Sequence, residues 1–243
     1  METPKIDKQQ LTAWAGMIGS ALFVVVFALQ DILCPGFNWL STAVSEHALG
    51  SYGRIQIANF IVVGLLFLVF ARGVAEEFRE GTASRLEPMF LTILGFCILL
   101  SGPFVTDLAP VAMFSSQATW HGAAHGVLGA IGFTLMPLSC FVIYRRFRRN
   151  QVWQTFAGWT LAVCIIIVLA IVLLKVAQLG VMGGLLGLFQ RIVLVAYFGW
   201  TFAFAMKLRT HKPASSFTNC TLGGSLPGKS ASRNNVKLLQ SSC

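Results

Sequence analysis

Six stretches of this chain are continuously apolar for about twenty residues, enough for an α-helix to cross roughly 30 Å of hydrocarbon. They run from about Leu11 to Leu29, Ile55 to Val74, Met89 to Thr106, Trp120 to Tyr144, Phe156 to Ala177 and Leu186 to Met206. A helix satisfies its own backbone polar groups, which lipid cannot do. Strands are excluded, because the runs are continuous where a barrel strand alternates. The first run is longer than the roughly 7–15 apolar residues of a signal peptide, and no Ala-x-Ala cleavage site follows it, so it reads as a retained span. The fold expected is an all-α polytopic membrane helix bundle with six transmembrane helices.

Composition agrees. Only 11% of the residues are charged and 56% are hydrophobic, where a soluble domain carries about 25% charged residues. Short connections leave space for a single domain over 1–210. The net charge of +9 does not point to nucleic acid, because the basic residues sit beside the apolar runs and set orientation there. Every Lys and Arg except Arg54, Lys175 and Arg191 falls at the N-terminus, at the end of the second run or after it, after the fourth, or beyond the sixth. The positive-inside rule places those segments and both termini in the cytoplasm, which corresponds to a multi-pass protein of the plasma (inner) membrane.

From about Thr210 the chain turns to Ser, Asn, Gly and Lys, a composition that cannot offset its ordering entropy, so 211–243 is expected to be a disordered cytoplasmic tail. Within it, Gly223 to Ser230 matches the phosphate-loop pattern letter for letter. No strand precedes and no helix follows, so the match is set aside. Asn219-Cys220-Thr221 matches a glycosylation sequon on the side of the membrane where that modification does not occur. The six cysteines form no zinc-site spacing, and no internal repeat divides the chain.

The informative residues are polar groups that six helices would bring to the opposite, extracytoplasmic level. They are Asp31, Ser45-Glu46-His47, Thr106-Asp107, His121 and His125, Lys175, Gln178 and Gln190-Arg191. His121 and His125 share a helix face one turn apart, a spacing that lets two imidazoles reach one metal such as zinc. Asp107 or Glu46 then completes the shell or serves as base for a bound water. Arg191 with Gln190 is the expected clamp for a ligand headgroup. Plainer readings stand beside this one: the histidines bond to nearby carbonyls, Asp107 caps a helix or pairs with Arg191, or the groups form a proton, ion or small-ligand site. Gly122, Gly126 and Ala130 recur every four residues, a pattern that allows close helix packing. The Arg145–Arg149 cluster reads as an orientation signal that anionic lipid can also use.

Ser45-Glu46-His47-Ala48-Leu49-Gly50, Phe104-Val105-Thr106-Asp107, His121-Gly122-Ala123-Ala124-His125-Gly126 and Gln190-Arg191 together resemble the bacterial and archaeal membrane family catalogued as domain of unknown function 998. The resemblance covers roughly residues 12–209. Val105 stands where that family usually has Pro, and the tail has no counterpart. It implies a six- or seven-helix membrane protein and no activity. A weaker analogy runs to ceramidase-like membrane zinc hydrolases, for which Ser45, Asp107, His121 and His125 supply similar residue types and His47 the third histidine. Three function classes follow: a metal-dependent lipid hydrolase with Ser45, Glu46 and Asp107 as its catalytic groups, a small-ligand or proton-coupled transporter or sensor, or a non-catalytic assembly partner.

Overall fold

The computed structural model describes residues 8–78, 85–108, 115–182 and 184–210. The tail expected over 211–243, with its phosphate-loop match and sequon, lies outside the described residues. Among the described residues the chain is helix and turn, with no strand. α1 is Lys8–Leu33, α2 Gly53–Glu77, α3 Leu86–Leu100, α4 Trp120–Phe147, α5 Gln154–Gln178 and α6 Leu186–Thr210, and a short 3-10 helix, Val44–Leu49, precedes α2.

Five of these helices are long and apolar enough to cross a membrane, namely α1, α2, α4, α5 and α6. α3 is apolar but has only 15 residues. The run from Met89 to Thr106 therefore does not form one helix, and the physical reason is written in Ser101-Gly102-Pro103. The residue before a proline is driven out of the α region, and Pro103 cannot donate to the ladder. Two bonds of helical type, Ser101 N–H to Cys97 O (3.0 Å) and Phe104 N–H to Leu100 O (3.1 Å), carry the winding a little further.

Each helix packs against its neighbours in sequence, and α6 returns to α1, so the six form a closed ring. Between apolar helices in lipid the stabilisation comes from close packing, because lipid tails are as apolar as leucine. The axis of the ring is accordingly filled by large rings. Phe67, Phe70, Phe147, Trp153, Tyr197, Phe198, Trp200 and Phe204 are all fully buried. Phe147 stacks on Trp153 at 4.8 Å, and Phe23 on Phe198 at 4.4 Å. Gly64 lets α2 touch the backbone of α3, since a Cβ there would lie 2.4 Å from Leu99 N.

One end of the ring is tied by Glu77, whose carboxylate accepts from Gln9 Nε2 (3.0 Å) and Trp153 Nε1 (3.4 Å). Gln9 Nε2 also reaches Leu208 O at 3.3 Å. This leaves the opposite end, where α1 and α3 finish and α2, α4 and α6 begin, to carry the polar groups singled out above.

Candidate functional site

Arg191 is buried in the second turn of α6, and every arm of its guanidinium is engaged. Nε donates to Asp31 Oδ2 (2.8 Å) and Nη2 to Asp31 Oδ1, a two-point pair with the last turn of α1. Nη1 donates to Thr42 O (2.7 Å) and Gly187 O (3.0 Å). The pairing with Asp107, open in the sequence, is not formed. A guanidinium so completely used holds the connection after α1 against the start of α6.

His47 completes this clasp. Its Nε2 donates to Asp31 Oδ1 at 2.8 Å, since a carboxylate can only accept. Its ring stacks on Phe37 at 4.6 Å, and its Nδ1 is buried without a partner. A second proton on Nδ1 would be a buried, unpaired N–H. Burial therefore pushes the His47 imidazole below its ordinary range, with the Arg191 charge acting the same way and Asp31 opposing both. The 3-10 helix is further seated by Val44 N–H donating to Gln190 Oε1 (2.7 Å). The buried Glu46 accepts from Ala43 N–H through Oε1 at 3.3 Å.

Asp107 works on a different element. Its carboxylate accepts from Thr119 N–H (2.9 Å) and from Thr119 Oγ1 (2.7 Å), while Thr119 Oγ1 accepts from Gly122 N–H (3.0 Å). This is a helix N-cap backed by a carboxylate, favourable against the positive end of the α4 dipole. Gly122 is required there, because a Cβ would lie 2.0 Å from Asp107 Oδ2.

The two histidines of α4 have different surroundings. His121 is exposed and lies beside Trp120, ring centroids 3.6 Å apart. His125 is buried, and its Nδ1 donates to Phe104 O at 2.7 Å. Among the described residues no group of three or more His, Cys, Asp and Glu is arranged to hold a metal ion. Lys175 donates to Gln178 Oε1 at 3.0 Å on the surface.

At this end the ring carries a half-open slot of about 520 Å3, the open solvent at its mouth included. The slot is narrow. Phe23, Phe60, Leu94, Ile98, Leu128, Phe133, Met136, Leu194 and Phe198 line it, with Gly129 and Gly132 of α4 giving it width. Its polar lining is Ser45, Ser101, His125 and Gln190, and among the described residues no charged side chain lines it. His125 lines the slot with its ring held by Phe104 O through Nδ1. Gln190, its oxygen held by Val44, has its amide hydrogens to give. Sequence reasoning had picked out Ser45, His125 and Gln190 but not Ser101, whose signal was a hydroxyl between a long apolar run and Gly102-Pro103.

A second feature was also missed. Gln30, Gln56 and Asn59 form a buried carboxamide seam between α1 and α2. Gln30 Nε2 donates to Tyr52 O (3.3 Å), and Asn59 Nδ2 to Phe23 O (3.4 Å). Polar residues inside an otherwise apolar run were the available signal.

No curated protein and no solved structure matches the chain. The family described as Protein of unknown function (DUF998) matches residues 17–207, covering all six helices apart from the ends of α1 and α6. The chain, with its five helices long and apolar enough to cross a membrane, is a member of that family.

Proposed function

We propose that this is a six-span protein of a bacterial inner membrane, with both termini cytoplasmic, that binds an amphipathic molecule in the slot at its extracytoplasmic end. The distribution of Lys and Arg supports the orientation. The sixth crossing is supplied by α3 together with the winding that continues to Phe104, ~28 Å at about 1.5 Å per residue.

The observation that carries the binding role is the slot's polarity. Its walls are apolar, its shape is narrow, and its polar lining is Ser45, Ser101, His125 and Gln190. An alkyl chain fits the walls, and an ester, amide or hydroxyl head fits the Gln190 amide hydrogens and the Ser45 hydroxyl, while Ser101 Oγ, its proton given to Cys97 O at 2.8 Å, can still accept. The absence of charge among the lining residues favours an uncharged head, because an unpaired ion would be costly there. Arg191 and Asp107 then support the site without touching the ligand, since both are committed to Asp31 and Thr119.

The test is lipid content. The full chain, purified in mild detergent, is extracted and its bound amphiphiles are counted by mass spectrometry beside a Gly129→Phe variant. A Cβ at Gly129 meets nothing within 4 Å, so the position admits a side chain directed at the slot, and the melting temperature checks that the fold is kept. One retained amphiphile per chain, lost in the variant at unchanged melting temperature, is the expected result. Equal content in both proteins would sink the proposal. Metal analysis of the same preparations, with His121→Ala/His125→Ala, separates this reading from a zinc-dependent hydrolase.

A further inference from the structure

We propose that Arg145, Arg148 and Arg149, at the C-terminal end of α4, hold the phosphate of an anionic phospholipid whose acyl chains lie along the apolar outer face of the same helix. The site is independent of the slot, which lies toward the other end of α4.

The three guanidiniums line one depression at the surface. Residues three and four apart share a helix face, so Arg145, Arg148 and Arg149 crowd like charges within one turn. Among the described residues no carboxylate forms an ion pair with any of them. Arg148 is instead positioned by Tyr144, donating to its hydroxyl at 3.3 Å with the guanidinium 5.8 Å from the ring centroid. Arg146, the fourth member of the cluster, points elsewhere, donating to Phe78 O at 3.0 Å. The cluster thus divides into one structural arginine and three that face outward, whose mutual repulsion an anion would relieve. A phosphate suits it, because guanidinium forks match phosphate oxygens two at a time.

The second half of the argument is the face beneath. Val127, Ile131, Leu138 and Phe141 are each 40–44% exposed. Thr134, also exposed, falls in the same register, and its hydroxyl is returned to its own helix at Ala130 O (2.8 Å). Positions 127, 131, 134, 138, 141, 145 and 148 alternate steps of four and three, one continuous stripe on a helix. The stripe is therefore apolar along a membrane-length helix and ends in arginine. That is the layout of a phospholipid, with chains along Val127 to Phe141 and phosphate at Arg145 and Arg148. A free phosphate would use only the last turn.

Full-length protein in zwitterionic phosphatidylcholine nanodiscs is titrated with phosphatidylglycerol, and bound lipid is counted by native mass spectrometry. The variants are Arg145→Gln/Arg148→Gln/Arg149→Gln and the charge-keeping Arg145→Lys/Arg148→Lys/Arg149→Lys. Each basic residue near anionic lipid contributes roughly fivefold, so the glutamine variant should bind phosphatidylglycerol about a hundredfold more weakly. The lysine variant, which keeps the charge but loses the two-point forks, should bind between the wild type and the glutamine variant, and all three proteins should melt together in phosphatidylcholine alone. Binding by the glutamine variant within about twofold of the wild type would overturn the proposal. So would equal retention of phosphatidylcholine and phosphatidylglycerol by the wild type. Glycerol phosphate competing as well as the intact lipid would assign the arginines to a soluble anion and overturn it too.

Discussion

Asp31 and Arg191, 160 residues apart in the chain, meet in a two-point ion pair that joins the end of α1 to the start of α6. The pair is the seam at which the helix ring closes, because α1 and α6 are neighbours in the ring from opposite ends of the sequence. It also fixes the roof of the slot. Arg191 holds Thr42 O, Asp31 holds His47, and the 3-10 helix between them carries Ser45 and Val44 into the lining.

Removing one partner of this pair leaves the other buried and uncompensated. Asp31→Asn or Arg191→Gln alone is expected to cost about 3–5 kcal/mol. Asp31→Leu/Arg191→Leu together should cost clearly less than the two single changes added, because no lone charge remains. Thermal melting in detergent, read as a double-mutant cycle, checks this. Additive losses would mean that the two side chains do not depend on each other.

The clasp also predicts how stability responds to acid. The folded imidazole of His47 titrates below its unfolded value of about 6.5. The unfolded chain therefore binds the proton first. The stability gained from a neutral His47 is complete above about 6.5 and is lost as pH falls through the lower folded value. His47→Gln, which can still donate to Asp31 but cannot be protonated, should flatten the fall in melting temperature between about pH 7.5 and 5.5. An unchanged slope would place the acid sensitivity on another group.

The helices were legible because continuous apolar runs leave a chain few alternatives, and every helix covers the run that announced it. α3 is the exception, and the signal that ends it, Gly102-Pro103, was in the sequence but outweighed by the apolar residues around it. The partners of the polar groups were not legible. Arg191 had Asp31, Glu46 and Asp107 within the same level of the bundle, and nothing in a one-dimensional pattern ranks three carboxylates. The choice depends on α6 packing against α1, which a helix apolar on all sides does not declare. Asp107 was open as a helix cap because it precedes α4, and a cap is a local contact. The slot was the least legible feature, since its walls are ordinary core residues and its width comes from glycines that also read as packing.

Glycine positions separate close approach from mere permissiveness. A Cβ at Gly64 would lie 2.4 Å from Leu99 N and 2.5 Å from Leu99 Cα, so α2 and α3 must part to admit it. Gly199 of α6 has nothing within 4 Å. Gly64→Ala is expected to destabilise by about 1–3 kcal/mol through overpacking. Gly199→Ala should leave stability unchanged or raise it by up to about 1 kcal/mol through helix propensity. Melting the two variants side by side tests the α2–α3 contact, and a Gly64→Ala protein as stable as Gly199→Ala would contradict it.

Two buried hydrogen bonds near the axis should respond very differently to losing one oxygen. Trp200 Nε1 donates to Thr160 Oγ1 at 3.1 Å, and that hydroxyl donates onward to Phe156 O at 3.0 Å. Thr160→Val keeps the shape and leaves a fully buried indole N–H with no acceptor, a loss of about 1–3 kcal/mol. Ser139 uses its single proton on Met136 O at 2.9 Å, so the 3.2 Å contact with Tyr197 must be donated by the phenol. Tyr197→Phe therefore removes donor and demand together and strands only a hydroxyl lone pair. Its expected cost is about 0.5 kcal/mol, near the mean for hydrogen bonds inside membrane proteins. Thr160→Ser should recover most of what Thr160→Val loses, because the acceptor returns. If Tyr197→Phe melts as low as Thr160→Val, the larger cost comes from lost packing around the ring axis, and the hydrogen-bond assignment at Trp200 fails.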